Sequence, residues 1–256
     1  MTDAKATEAA SVRGARPAEL GLVDGLDIHA RYQFDRTGGD FFDAVRVGTR
    51  VAFLLSDIAG RRETADPIAA ATQDAFRARA RELFAAGDAN LTEGTEMLVQ
   101  AINMAIIKAA QGGVCFAPTM LGCYDAQIGV LAYINAGGQT AMLRDSEGAR
   151  PLPSASLPLG LTTHMPYEAS MQAFEPGAKL LVVTKGVTLS MRGKTPFGPE
   201  RVCEVLAGSK DESASKVCQA VLKAAYGFQK PGWLSLWRKP TPEDMTALAM
   251  VRSSKQ

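Results

Sequence analysis

Three acidic positions in this sequence share one local context. Asp40 follows Gly38-Gly39 and opens an apolar run; Asp57 ends the run Val51 to Leu55, just before Ala59-Gly60; and Glu243-Asp244 immediately precedes the last apolar run of the chain. If those runs are strands, each carboxylate stands at a strand lip. Carboxylates gathered there can hold a hard divalent cation, which prefers oxygen ligands, and the neighbouring glycines let the backbone approach it closely. An Asp beside a Gly is also an ordinary turn residue, so position alone leaves both readings open. In 180-LLVVTKGVTLS-190 the apolar run Leu180 to Val183 stops at Thr-Lys-Gly, which puts Lys185, a strongly hydrated cation, at another such lip. The chain carries four widely spaced cysteines without a C-x-x-C pair and only two histidines, His29 and His164. Buried free thiols are therefore expected rather than a zinc site or a disulfide framework.

The elements that must position these residues follow from periodicity. Leu26 to Phe34 alternates as a strand, and 38-GGDFFDAVRVGTRVAFLLSDIAG-60 reads as a β-hairpin around Gly48-Thr49. Pro67 to Ala86 reads as a helix with Ile68, Thr72, Phe76, Ala80 and Phe84 in one row, and Arg77, Arg79, Arg81 and Glu82 mostly facing elsewhere. A second helix carries Leu98, Ala101, Ile102, Ala105, Ile106 and Ala109, with Thr92 as its expected N-cap and Gly112-Gly113 as its stop. Residues 120–143 form a three-stranded meander divided at Ala126-Gln127 and Gly137-Gly138, followed by a strand around Tyr167 to Phe174 and the run at 180–183. A third helix is expected from near Asp211 to Gly227, a loop insertion over 228–242 containing Phe228, Trp233, Leu234, Leu236 and Trp237, and a closing strand Met245 to Val251.

Runs of strands interrupted by helix pairs imply α+β with mainly antiparallel sheets, two of them to hold this many strands. One domain is expected over 23–253, behind a mobile tail at 1–22 that lacks sustained periodicity. With 46% apolar and 21% charged residues the chain can bury a sizeable core. A net charge of +1 gives no general attraction to nucleic acid or anionic lipid, and neither is expected as a partner. No apolar run approaches the ~18 residues of a membrane helix and no signal-peptide core opens the chain, so a cytoplasmic location is expected.

Seven stretches, in order, resemble the metal-dependent protein phosphatases (PPM, protein phosphatase 2C type) in their SpoIIE/RsbU-like branch. They are 38-GGDFFD-43, 55-LSDIAGR-61, 116-FAPTMLGCYDAQIGVLAYINAGG-138, 158-PLGL-161, 183-VTKGVTLS-190, 196-PFGPERV-202 and 243-EDMTALAMVR-252. Gly-Gly-Asp also opens the diguanylate cyclase signature, but Phe41-Phe42 stands where that signature has Glu-Phe and the surrounding chain does not match. The resemblance implies a four-layer α-β-β-α sandwich with two Mg²⁺ or Mn²⁺ ions that activate a water for attack on phosphoserine or phosphothreonine. Carried over by position, Asp40 would hold one ion, Asp57 would bridge both, and the Ile58 carbonyl would complete part of the shell. The other ion would be held by the acid of Thr-Asp-Gly and the first acid of Asp-Asp, which here are Lys185 and Glu243, the latter followed by Asp244.

An ammonium has three donors and no acceptor, so Lys185 cannot ligate a cation while charged. It also repels one: two unit charges ~4 Å apart interact by about 4 kcal/mol at an effective dielectric near 20, and a divalent ion roughly doubles this. At most one weakly bound Mg²⁺ or Mn²⁺ is expected. Lys185 is read as a built-in counter-ion among the acids or as a contact for phosphate. Gly138 in place of the family's His and Arg61-Arg62 after the Asp57 loop are further departures. Two function classes follow: a pseudophosphatase or very weak phosphatase that binds a phosphorylatable regulator, and an active phosphoserine phosphatase acting on a STAS-type anti-sigma antagonist. Since no sensor segment precedes the domain here, regulation is expected through association, by homodimer or partner contacts at the paired helices 67–111 or at the aromatic insertion.

Overall fold

The computed structural model describes residues 15–16, 18, 25–34, 36–154, 156–209, 213–229 and 244–254. The expected tail at 1–22 lies almost wholly outside them, as do Glu243, Asp211 and the insertion from 230 onward.

In chain order the elements are β1 (Leu26–Tyr32), β2 (Gly39–Val47), β3 (Arg50–Ile58), α1 (Arg62–Leu83), α2 (Leu91–Ala109), β4 (Thr119–Asp125), β5 (Val130–Ala136), β6 (Thr140–Asp145), β7 (Gly148–Pro151), β8 (Ser170–Ala173), β9 (Lys179–Val183), α3 (Lys185–Thr188), β10 (Met191–Arg192), β11 (Thr195–Pro196), α4 (Gly198–Gly208), α5 (Ala214–Gln229) and β12 (Thr246–Arg252). Two five-stranded sheets run β1-β12-β9-β6-β7 and β2-β3-β4-β5-β8, with β10 and β11 forming a small ribbon. All strand pairs are antiparallel.

Alternating side chains sort the apolar residues into three cores, and the three cores define four layers. On β3, Ala52 and Leu54 pack with α1 and α2, whereas Val51, Phe53 and Leu55 face the other sheet. On β9, Leu180 and Val182 join that central core while Leu181 and Val183 pack against α4 and α5; Leu248 and Met250 of β12 divide from Ala247, Ala249 and Val251 in the same way. Strands covered on both faces must be apolar at every position, which is why these segments read as continuous runs. The architecture is the expected α+β sandwich of two antiparallel sheets flanked by helices.

The outer layers depart from the sequence reading in informative ways. α1 begins at Arg62, ahead of Pro67, which is taken inside the helix. Arg77 does not face solvent. It is buried and forks onto Asp43 of β2, with Nε 2.6 Å from Oδ2 and Nη2 3.1 Å from Oδ1. Asn90, not Thr92, caps α2, its Oδ1 accepting from the backbone N–H groups of Thr92 (3.0 Å) and Glu93 (3.2 Å). A buried Arg50 on β3 meets Asp125 Oδ2 at 2.7 Å and also donates to the carbonyls of Phe84 (3.2 Å), Ala86 (2.5 Å) and Gly87 (2.7 Å), so one guanidinium holds the α1–α2 connection. α4 and the short α3 have no counterpart in the sequence reading. α5 runs through Gln229, so Phe228 closes a helix instead of opening a loop, and its ring lies beneath the guanidinium groups of Arg192 (4.3 Å) and Arg201 (4.8 Å).

Candidate functional site

The Gly48-Thr49 turn leaves Val47 opposite Arg50, and every rung above it follows from that pairing until Asp40 stands opposite Asp57 and Gly39 opposite Ile58. The two acids share the face of Phe42 and Leu55, so they point between the sheets at the open end of the sandwich. Both are largely buried, at 2% and 8% exposure. The close approach of β2 to β3 at this rung requires glycine: a Cβ on Gly39 would lie 2.0 Å from the Ile58 carbonyl oxygen.

The opposite sheet supplies the partners of Asp40. Thr184 follows β9 and Thr246 opens β12, and both hydroxyls donate to Asp40 Oδ2, at 2.7 and 2.5 Å. Burial raises the Asp40 carboxyl well above the usual carboxylate range; the nearby Asp57 charge adds to the rise, while the two hydroxyls oppose it. Thr184 precedes α3 with its hydroxyl spent across the sandwich instead of on a cap. These two threonines lie within the Thr-Lys-Gly and Asp-Met-Thr stretches, yet the sequence reading assigned them no part.

Lys185, the first residue of α3, brings its Nζ to 3.6 Å from Asp57 Oδ2, with 55% of its side chain exposed. The cation therefore sits at the mouth of the acidic pair. Asp244 behaves differently from the other acids: its Oδ1 accepts from Thr37 N (2.7 Å) and Thr37 Oγ1 (3.0 Å), and its Oδ2 from Gly38 N (2.8 Å). It ties the segment before β2 to the segment before β12. The structure thus brings Asp40, Asp57 and Lys185 together, places the Ile58 carbonyl against Gly39, and puts Asp244 beside them in a bracing role; Glu243 lies outside the described residues. Among the described residues no three His, Cys, Asp or Glu side chains gather as a metal cluster.

The surrounding loops are fixed by shared carbonyls. Pro118 O accepts from both Asp57 N (2.9 Å) and Gln139 Nε2 (3.0 Å). Gly138 adopts φ +77°, a conformation that favours glycine, in the turn where the resembling family has His. Beside it Asn135 donates to Gln139 O at 2.8 Å, and its Oδ1 is buried without a partner among the described residues. Arg62 N reaches Thr37 O at 3.1 Å, joining the start of α1 to the same lip.

Solved structures share this fold. The RsbU and RsbW domains of a Mycobacterium tuberculosis protein align with TM-score 0.71 at 21% identity, covering 91% of this chain and 61% of that one. The phosphatase domain of the cell fate determinant SpoIIE from Bacillus subtilis, with a fragment of its regulatory domain, aligns with TM-score 0.70 at 13% identity, covering 88% and 63%. The chain spans less than two thirds of each of these. RsbX in complex with magnesium aligns with TM-score 0.62 at 16% identity, covering 89% and 96%. No curated protein matches the sequence. The family described as stage II sporulation protein E (SpoIIE) matches residues 48–252, from the β2–β3 turn to the end of β12, which leaves Asp40 just outside the matched span. With four fifths of its length inside that match, the chain belongs to the SpoIIE family of PP2C-type phosphatases.

Proposed function

We propose that this chain is a phosphatase-fold signalling protein that binds a phosphorylatable regulator, such as a STAS-type protein, while its two-metal centre is degraded. The observation that carries this reading is the ammonium of Lys185 at 3.6 Å from Asp57, the acid that would bridge two ions. The other donors point the same way. Both oxygens of Asp244 are taken by Thr37 and Gly38, and Asp40 Oδ2 already accepts two hydroxyls. Among the described residues the donors do not fit a two-ion centre. Among those same residues, Asp40, Asp57 and the Ile58 carbonyl would hold at most one weakly bound Mg²⁺ or Mn²⁺. Lys185 then serves as the resident counter-ion of the acidic pair.

Among the described residues no helix is long and apolar enough to cross a membrane, which is consistent with the cytoplasmic, partner-switching setting proposed here. The similarity to RsbU and RsbW domains supports that setting. Homodimer or partner contacts are assigned to the aromatic insertion containing Trp233 and Trp237; replacing both by Ala is expected to weaken association in sedimentation experiments, and a loss of thermal stability alone would mean that they cap the core.

A second reading keeps catalysis. The opposed Asp40–Asp57 pair is intact, and a half-exposed lysine at the mouth of a phosphatase-fold site can hold phosphoryl oxygens. One experiment separates the two. For the binding protein, the wild type shows no metal-dependent hydrolysis of p-nitrophenyl phosphate or a phosphoserine protein, and the Lys185→Asp, Glu243→Asp double variant gains turnover. Robust wild-type turnover that Lys185→Ala abolishes would establish the enzyme instead.

A further inference from the structure

Cys115 and Ala117 pack into the core beneath α1 and α2, so Phe116 between them projects to the opposite face, the one that carries Leu55, Met120 and Asp57. The β3–β4 ladder runs on past its last strand rung and fixes this placement. Asp57 N donates to Pro118 O at 2.9 Å, and Ala59 N to Phe116 O at 2.7 Å. Phe116 is thus the diagonal neighbour of Asp57, about 7–8 Å from it. It is large, apolar and 50% exposed.

The facing sheet supplies a second such residue. Leu189 closes the single turn of α3, its N–H bonded to Lys185 O at 2.7 Å, and residues four apart on a turn stand side by side, about 6 Å between Cβ atoms. Leu189 is 53% exposed and the Lys185 side chain 55%. Across the mouth the series of neighbours therefore runs Phe116, Asp57, Lys185, Leu189, with an exposed cation between two exposed apolar groups. A second cation, Arg61, is exposed two residues beyond Ala59 and makes no ion pair among the described residues. Single exposed apolar residues are ordinary on a protein surface. This pair differs in its place, one from each sheet on either side of the candidate site.

We propose that the lip takes an extended segment of the regulator in which a phosphorylated serine has a bulky apolar residue two positions away on each side. The phosphate meets the cations Lys185 and Arg61, and the flanking side chains lie on Phe116 and Leu189. In an extended chain, residues two apart share a face and stand about 6.6 Å from each other, close to both spacings at the mouth. The assignment rests on the reading of the chain as a binder of a phosphorylatable regulator and adds what the bound segment must contain.

The test is fluorescence-anisotropy titration of the full chain, with EDTA present, against three labelled peptides: Thr-Leu-Thr-phosphoSer-Thr-Leu-Thr, its counterpart with Ala for both Leu, and the unphosphorylated Leu peptide. The phosphorylated Leu peptide is expected to bind about tenfold tighter than the Ala one, and the unphosphorylated peptide at least tenfold more weakly than its phosphorylated form. Phe116→Ser and Leu189→Ser should each remove about threefold of the preference for Leu. Ile128→Ser, at an equally exposed apolar residue in the β4–β5 turn at the other end of the sandwich, should leave it unchanged. Equal binding of the two phosphopeptides would overturn the flank assignment alone, and absence of binding by either would overturn the parent reading with it. An equal loss in Ile128→Ser would likewise refute the flanks. The ratio between the two phosphopeptides is read on the unaltered chain, so it decides the matter whatever the variants do to folding.

Discussion

Asp40 of one sheet and Thr246 of the other meet across the open end of the sandwich, with 2.5 Å between Oγ1 and Oδ2. The Thr184 hydroxyl reaches the same oxygen, so this carboxyl group is the point at which the two sheets are laced together beside the site.

Removing one lace should therefore cost stability. Thr246→Val keeps the β-branched shape of β12 but takes away a donor from a buried acid, and a loss of roughly 1–3 kcal/mol is expected in urea denaturation. Thr246→Ser, which keeps the hydroxyl, should recover most of it.

The lip itself tolerates no side chain. Gly39→Ala would set a Cβ 2.0 Å from the Ile58 carbonyl oxygen, and the strands must separate at that rung. A cost of about 2–4 kcal/mol is expected from thermal melts. Gly208→Ala, where nothing lies within 4 Å of the added atom, should be neutral or slightly stabilising at the end of α4.

The ion pair beneath β2 gives a pH signature. Arg77→Met would leave Asp43 buried without its counter-ion, at a cost of about 3–5 kcal/mol near neutral pH. Burial already raises Asp43 despite the hydrogen bonds and charge of Arg77, so removing the guanidinium raises it further. An acid whose pKa is higher folded than unfolded is best tolerated when protonated. The deficit should shrink as pH falls through the raised folded value toward the ordinary Asp range, as read from denaturation midpoints across pH, and a deficit that grew on acidification would contradict the assignment.

Metal titration addresses the lip directly. Calorimetry with Mn²⁺ is expected to find no more than one weak ion per wild-type chain and a second in the Lys185→Asp, Glu243→Asp variant. Lys185→Ala should give at most a modest gain, because it removes a repulsion without adding an oxygen. Two tight ions in the wild type would be the contrary result.

Thiol chemistry should report the packing. Cys115, Cys123 and Cys218 are buried and unpaired, and burial pushes the Cys218 thiol up to about 12, whereas Cys203 is half-buried at the α4 surface. Native alkylation followed by mass spectrometry should label Cys203 first, with all four cysteines reacting only after denaturation.

Much of this arrangement was legible because strands buried on both faces leave unbroken apolar runs, and because a two-residue turn at Gly48-Thr49 dictates which acid faces which. Lys185 was legible as a cation at a strand lip for the same reason: its apolar run ends there. What escaped the sequence depends on partners distant along the chain. Arg77 looks like a surface residue until Asp43 is seen beneath it, Pro67 looks like a helix start although α1 already runs from Arg62, and Thr184 and Thr246 declare nothing until Asp40 lies between them. α4 opens on Gly198-Pro199, a pair that by itself signals a turn. Nor does the sequence show that Asp244, expected among the metal acids, accepts hydrogen bonds from Thr37 and Gly38.

The Arg50 contacts carry a consequence for how the molecule comes apart. One guanidinium, rooted in the sheet, gathers Asp125 and three carbonyls from the link between α1 and α2. Peeling that helical hairpin off the sheet would strand a buried charge and three polar oxygens at once, so partial opening at that edge gains little. The hairpin and β3–β4 should then protect their amides as a single cooperative unit, leaving the easier local openings to the exposed segments around β10 and β11.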